Sequence, residues 1–325
     1  MIRAFFILLS IANLALPMLS RAHGQTAPIE FQGAAPADAA IPRTVDGHHD
    51  FGGRWSTAFI TPVARMAGAK SVVVSDVEAK QLAHGFAEWA HSRAADVLID
   101  PEYFISGADA LLRVNGEWRS SQITTPADGV QHYTAEGKRL ETQKRDWSEA
   151  LADGPEMRPP FERCLVSAGS APLTTVPGAL IREVVQTPDH IVLASDGGDT
   201  RIIGLHTAPR PAALTSYLGD STAQWEGDVL VVQTTGLKTH VQRGIITRPQ
   251  SRVIERFELL GPDELLYRFT VEDSAIYAEP WSAEFVLTRT NERVLEYACH
   301  EHNYSMVNIL QAGRVADAKT KSKRR

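Results

Sequence analysis

The second half of the chain alternates apolar and polar residues with a period of two, and this pattern constrains the fold most. Such alternation is typical of strands that bury one face. Turn-forming residues interrupt it at short intervals, as at Gly197-Gly198 and Asn291-Glu292. About nine strands are predicted, over residues 180–187, 190–196, 200–206, 223–226, 229–235, 252–260, 265–273, 281–290 and 293–299.

Most of these turns are short, and short connections require antiparallel neighbours. A long meander has to protect its two edges, and closure into a barrel does this most directly. We therefore predict a mainly β protein, in which an antiparallel meander closes into a lipocalin-like barrel with an N-terminal helical region. A two-sheet sandwich is the alternative.

The N-terminus has the three parts of a secretory signal. Met1-Ile2-Arg3 is cationic, residues 4–19 are almost wholly apolar, and Ala22-His23-Gly24 forms a small-x-small cleavage site. A membrane anchor is the alternative, but a spanning helix needs roughly 20 apolar residues. We expect cleavage, a periplasmic or secreted protein, and no transmembrane segment after cleavage.

Two helices are predicted before the strands. Ser75-Asp76-Val77-Glu78 has the spacing of a capping box at a helix start. Val77, Leu82, Phe86 and Trp89 can then form one apolar stripe. A second, strongly charged helix is expected over residues 134–153.

These patterns divide the chain into five parts. They are a signal peptide at 1–24, a flexible arm at 25–43, a helical and irregular region packed on the barrel at 44–160, the barrel domain at 161–315, and a basic tail at 316–325.

Charge and cysteine content exclude several classes of protein. The net charge is -6, with 33 Lys and Arg against 39 Asp and Glu, so the basic surface of a nucleic-acid-binding protein is absent. Neither GxGxxG nor GxxxxGK[ST] occurs, and we expect no cofactor.

In an exported protein, the two cysteines Cys164 and Cys299 favour a disulfide. The alternative is a thiol nucleophile at Cys299, beside His300.

Several motifs resemble those of an uncharacterised family of secreted bacterial proteins. The segment from Thr44 to Trp55 reads TVDGHHDFGGRW and resembles RTxDGxxDLxGxW, and residues 219–235 resemble GDSxGxWEGDTLVVxTT. Residues 296–310 resemble EYACHExNYxMxNIL, although His302 replaces a residue that is usually small. Residues 205–211 also depart from the family pattern. The resemblance covers almost all of the mature chain and implies export, but it implies no activity.

Strand phase singles out one carboxylate. On the strand predicted at 252–260, Glu255 shares a face with Val253, Phe257 and Leu259. A carboxylate facing a core is costly unless it is paired or protonated, and its pKa rises as a general acid or base requires. Glu255 is thus a candidate catalytic residue, and pairing with an arginine is the alternative.

The candidate binding residues come from neighbouring strands. Tyr267 and Phe269 are expected to face the interior, either as core or as a ligand platform. Arg201 could bind a substrate carboxylate or could pair with Glu183, and His206 has the same ambiguity.

The densest polar cluster is Cys299-His300-Glu301-His302-Asn303-Tyr304. His300 and Glu301 are further candidate catalytic residues, and Tyr304 is a candidate substrate contact. Two histidines at i and i+2 could hold a metal, but the spacing is not diagnostic, and we predict no metal. A structural role at the end of the last strand is the alternative.

These residues lead to three functional hypotheses. The first is an exported enzyme, a lyase or hydrolase, that acts on a small organic substrate by acid/base chemistry. The second is a lipocalin-like carrier of an apolar or aromatic compound, and the third is a structural envelope protein with a filled interior. The oligomeric state is left open.

Overall fold

The computed structural model describes residues 40–97, 109–145, 152–175, 181–211, 213–242, 244–301 and 303–323. The predicted signal peptide and most of the predicted arm lie outside these residues. None of the described helices is long and apolar enough to cross a membrane.

Fifteen strands are present in the described part of the chain. In chain order they are β1 Gly53–Ser56, β2 Val73–Val74, β3 Leu112–Val114, β4 Glu117–Arg119, β5 Ile123–Thr125, β6 Ile181–Gln186, β7 His190–Ser195, β8 Thr200–Leu205, β9 Asp220–Glu226, β10 Val229–Thr235, β11 His240–Gln242, β12 Ile245–Thr247, β13 Arg252–Gly261, β14 Glu264–Glu272 and β15 Trp281–Arg289. The helices are α1 Asp76–Val97, α2 Ala135–Arg145 and α3 Tyr304–Lys323, and Pro155–Met157 forms one turn of 3-10 helix.

The predicted barrel is confirmed. Nine strands close in the order β1-β6-β7-β8-β9-β10-β13-β14-β15, because β1 pairs with both β6 and β15. Trp55 of β1 lies opposite Arg182 on one side and Arg289 on the other. Strand β5 also pairs with β15, and β2, β3 and β4 form a small separate sheet.

One connection departs from the predicted antiparallel meander. Strands β8 and β9 are parallel, with Ile203 opposite Ser221 and Leu205 opposite Ala223. Parallel neighbours need a long crossover, and residues 206–219 supply it. The barrel is therefore mixed, with antiparallel pairs elsewhere.

The prediction of a strand over residues 293–299 is wrong. These residues have no regular structure, and Leu295 is 71% exposed. The physical reason is that β1 and β5 already pair with the edge of β15 that a further strand would need. The closing strand, β1, instead comes from the N-terminal region.

The helices of the structure agree with the sequence-based predictions only in part. Ser75 caps α1 by accepting a hydrogen bond from the Glu78 backbone amide, at 3.3 Å. Leu82 and Phe86 pack on a small apolar cluster, whereas Val77 and Trp89 are largely exposed. Helix α3 was not predicted, and it includes residues 316–323 of the segment that was predicted as a basic tail.

The predicted disulfide is present. Cys164 and Cys299 are bonded, with their Cα atoms 5.8 Å apart, a usual separation for such a bridge. Asn303 lies beside the bridge and donates a hydrogen bond from Nδ2 to the carbonyl oxygen of Glu162, at 2.8 Å. The disulfide therefore links the irregular segment before α3 to the part of the chain that precedes β6.

We expect the double variant Cys164→Ser/Cys299→Ser to be less stable than the wild type. The bridge spans 135 residues, and its loss releases about 5 kcal/mol of unfolded-chain entropy in the loop-closure model. Urea unfolding measures the difference. Dithiothreitol should lower wild-type stability by a similar amount and leave the double variant unchanged; equal stability of all samples would contradict the prediction.

Candidate functional site

A buried ion pair lies inside the barrel. Arg201 on β8 donates from Nη2 to Oε1 of Glu255 on β13, at 2.9 Å. The side chain of Glu255 is fully buried and that of Arg201 is 2% exposed. Glu255 does face the core as its strand phase indicated, and its partner is Arg201. Glu183, the other partner considered for Arg201, is exposed on the outer face of β6.

Two hydroxyl groups complete the environment of Glu255. The Tyr267 hydroxyl donates to Oε1 at 2.8 Å, and Thr234 Oγ1 donates to Oε2 at 3.4 Å. Burial raises the pKa of Tyr267 well above its usual value, and the negative charge of Glu255 acts in the same direction. The phenol therefore stays protonated and remains a donor to Glu255.

The interior around this cluster is filled by large side chains. Tyr267 and Phe269 face inward as predicted, and their ring centroids lie 5.6 Å apart. Phe269 also meets Trp281 edge-on at 5.4 Å, and Phe285 lies 4.9 Å from Tyr267. Small barrels are commonly filled in this way. The two aromatic residues are therefore core residues in this structure.

A second arginine, Arg182, is also buried. Arg182 on β6 donates hydrogen bonds to the carbonyl oxygen of Thr174 and to Thr57 Oγ1. Burial lowers its pKa, and the charge of Asp196 opposes this change. Within the described chain, Nε and Nη1 of Arg201 have no hydrogen-bond partner. Unpaired buried donors and an unpaired buried charge are both costly, and the ion pair with Glu255 removes the second of these costs.

The candidate site residues near the C-terminus do not belong to the buried cluster around Glu255. His300, Glu301 and Tyr304 are exposed, and His300 lines a surface cavity of about 260 Å³ beside the disulfide. Glu255 has no exposed surface, so the structure does not bring it together with His300. His302 lies outside the described residues. Among the residues the structure describes, no group of three or more metal-ligating side chains could hold a metal ion.

Two sequence motifs meet at one rim of the barrel. Arg43 precedes the first motif and donates two hydrogen bonds to Asp228 of the second, at 2.8 and 2.9 Å. His49 approaches the same carboxylate with Nε2 at 3.3 Å. These contacts attach the loop before β1 to the turn between β9 and β10.

Stacked rings and one amide hold this rim in place. The ring of Trp225 on β9 is nearly parallel to those of His48, at 4.3 Å, and Phe51, at 5.5 Å. Gln186 of β6 accepts a hydrogen bond from the Phe51 amide at 3.0 Å and donates one to the His49 carbonyl at 3.1 Å. Three segments far apart in sequence therefore form one wall.

A cavity of about 290 Å³, which we call the rim pocket, opens against this wall. It is lined by Thr44, Val45, Asp46, His48, Gln186, Thr187, Pro188, Leu205, His206 and Trp225. The lining combines an apolar part with two imidazoles, a carboxylate and an amide. Such a combination of apolar walls and a few polar groups is typical of small-molecule sites.

His206 enters the pocket from a strained corner. Its φ of 54 lies in the left-handed region, which is uncommon for a residue other than glycine. The His206 amide donates to the Ala223 carbonyl at 3.1 Å, where the crossover leaves β8. Strained positions of this kind cluster at functional sites.

The rim pocket is lined by one residue that was predicted to contact a ligand and by several that were not. His206 was a predicted ligand contact, whereas Asp46, His48 and Trp225 were not. One feature of the sequence could have pointed to them. Asp46 and His48 lie in one of the motifs that resemble the family, and Trp225 lies in another. Separate motifs can be expected to meet, but the sequence does not show where.

Comparison of the chain with models of known protein families gives no match, and neither does a search among curated proteins. The assignment of the candidate site therefore depends on its geometry.

We expect Glu255→Gln to destabilise the barrel by about 3–5 kcal/mol, because it leaves the buried Arg201 without a counter-charge. Urea unfolding measures this loss. Glu258→Gln is the matched control: it removes the partly exposed pair with Arg268 on the outer face of the same strand, and it should cost at most about 1 kcal/mol.

Adding Arg201→Met to Glu255→Gln should restore part of the lost stability, since the buried unpaired charge is then removed. Near wild-type stability of Glu255→Gln alone would contradict a structural role for the pair.

Proposed function

We propose that the protein is an exported small-molecule-binding protein and that its ligand occupies the rim pocket. The observation that carries this proposal is the joining of two separate motifs around one cavity, with aromatic, imidazole and carboxylate side chains facing it. The filled barrel interior argues against a lipocalin-like ligand inside the barrel. The filled interior also suits a purely structural barrel, but such a barrel has no need of the rim pocket.

Two observations support export. The N-terminal sequence has the pattern of a secretory signal, and Cys164 and Cys299 form a disulfide, which persists in oxidising compartments. A periplasmic or secreted location is accordingly part of the proposal.

Mass spectrometry of the mature protein, purified from its native compartment, tests ligand binding. We expect a mass excess under native conditions that disappears on denaturation and that identifies an organic compound. His206→Asn and His48→Ala should each reduce the occupied fraction about tenfold, because each removes a ring from the cavity. Asn is chosen at position 206 because it tolerates a left-handed backbone.

His84→Gln is the control, since His84 is exposed on α1 and does not line the rim pocket. Retention of the ligand by both rim variants would contradict the proposed site. The absence of any mass excess would contradict tight binding.

A second candidate function is catalysis at the same place. His48 and His206 both line the rim pocket, and two imidazoles around one substrate can act as general acid and general base. This version of the enzyme hypothesis uses no cofactor and does not require Glu255. A lyase or a hydrolase fits such chemistry.

Turnover distinguishes catalysis from binding. If the protein is an enzyme, the compound identified by mass spectrometry should be converted by the wild type and at least about 100-fold more slowly by His206→Asn. Quantitative recovery of the unchanged compound from the wild type would support binding alone.

A further inference from the structure

We infer that the rim pocket binds a small organic cation, an amine attached to an apolar body, in preference to a carboxylate or a phosphate. This inference rests on the proposed function, because it assigns a ligand class to the same cavity.

The first argument is the charge of the lining. Among the described residues that line the pocket, Asp46 is the only carboxylate, and none is a lysine or an arginine. Arg43, which directly precedes the lining residue Thr44, already donates two hydrogen bonds to Asp228, so this carboxylate largely satisfies its positive charge. An anion in the pocket would meet a like charge with no compensating cation.

The second argument is that Asp46 is free to bind. Within the described part of the chain, no side chain or backbone group forms a hydrogen bond or ion pair with its carboxylate. It lies on the turn between Thr44 and His48, where the Thr44 amide donates to the His48 carbonyl at 2.9 Å. The turn thus presents an uncompensated carboxylate at the mouth of the cavity.

The third argument is the shape and chemistry of the remaining wall. Trp225, Leu205 and Pro188 provide an apolar surface for a hydrocarbon or aromatic body. A divalent metal ion would need several oxygen or nitrogen ligands around one point, and no such group exists among the described residues. The wall and the lone carboxylate therefore suit an organic ammonium better than a metal ion.

Three probes with the same ring test the charge preference: benzylamine, benzyl alcohol and benzoate. Binding is followed by the chemical shift of the Trp225 indole proton, assigned with Trp225→Phe, at about pH 8, where an ordinary imidazole is neutral. We expect benzylamine to bind about fivefold more tightly than benzyl alcohol, as for a partly exposed charge pair, and benzoate to bind most weakly.

Asp46→Asn should bring the affinity for benzylamine down to that for benzyl alcohol and leave the affinity for benzyl alcohol unchanged. An unaltered thermal unfolding curve checks that this variant is folded. Asp189→Asn is the matched control, because Asp189 is an exposed carboxylate beside Thr187 and Pro188 that does not itself line the pocket.

The outcomes separate this inference from the proposed function. Equal binding of benzylamine and benzyl alcohol, or tightest binding of benzoate, would overturn the charge preference and leave the pocket as a ligand site. Failure of all three probes to shift the Trp225 signal would overturn both proposals. An equal loss of benzylamine affinity in Asp189→Asn would show that Asp46 is not the contact.

Discussion

Closure of the sheet by β1 is the interaction on which the rest of the structure depends. This strand has only four residues, yet it pairs with β6 on one side and β15 on the other. The guanidinium of Arg289 lies 4.3 Å above the Trp55 ring. Its Nη1 reaches the Gly52 carbonyl at 3.0 Å, past Gly53, where a Cβ would lie 2.5 Å from that nitrogen. Glycine at position 53, with φ of 121, permits this close approach.

The same closure explains why the candidate site is at the rim. Because β1 is fixed between two strands, the residues before it must pass over the end of the barrel, where Asp228 and Trp225 meet them. Large buried side chains, among them Trp55, Trp281, Tyr267 and Phe285, occupy the interior, and Arg201 and Glu255 form an ion pair there. The rim pocket, which we propose as the ligand site, lies instead between the loop before β1 and His206 at the end of β8.

The local features of this fold were predictable, and the long-range features were not. The alternation of apolar and polar residues predicted eight of the barrel strands and the inward orientation of Glu255, because a strand with one buried face has a period of two. It could not identify β1, whose four residues are too short to show a period. It also predicted a strand at residues 293–299, since pattern alone cannot tell that a neighbouring edge is occupied. At the candidate site, His206 was predicted as a ligand contact. Asp46 and His48 were not, because their position in the rim pocket depends on contacts between motifs that are distant in sequence.

The pairing of β1 with β15 also determines the order in which the protein can complete its fold. The two strands are separated by most of the chain, so this contact has a high loop-closure cost and belongs to the slow, non-local class. During synthesis, β1 emerges early and has to wait for β15. Until then the nascent sheet has two unpaired edges, which are templates for association with other chains. The period of greatest aggregation hazard therefore ends only when the last barrel strand arrives.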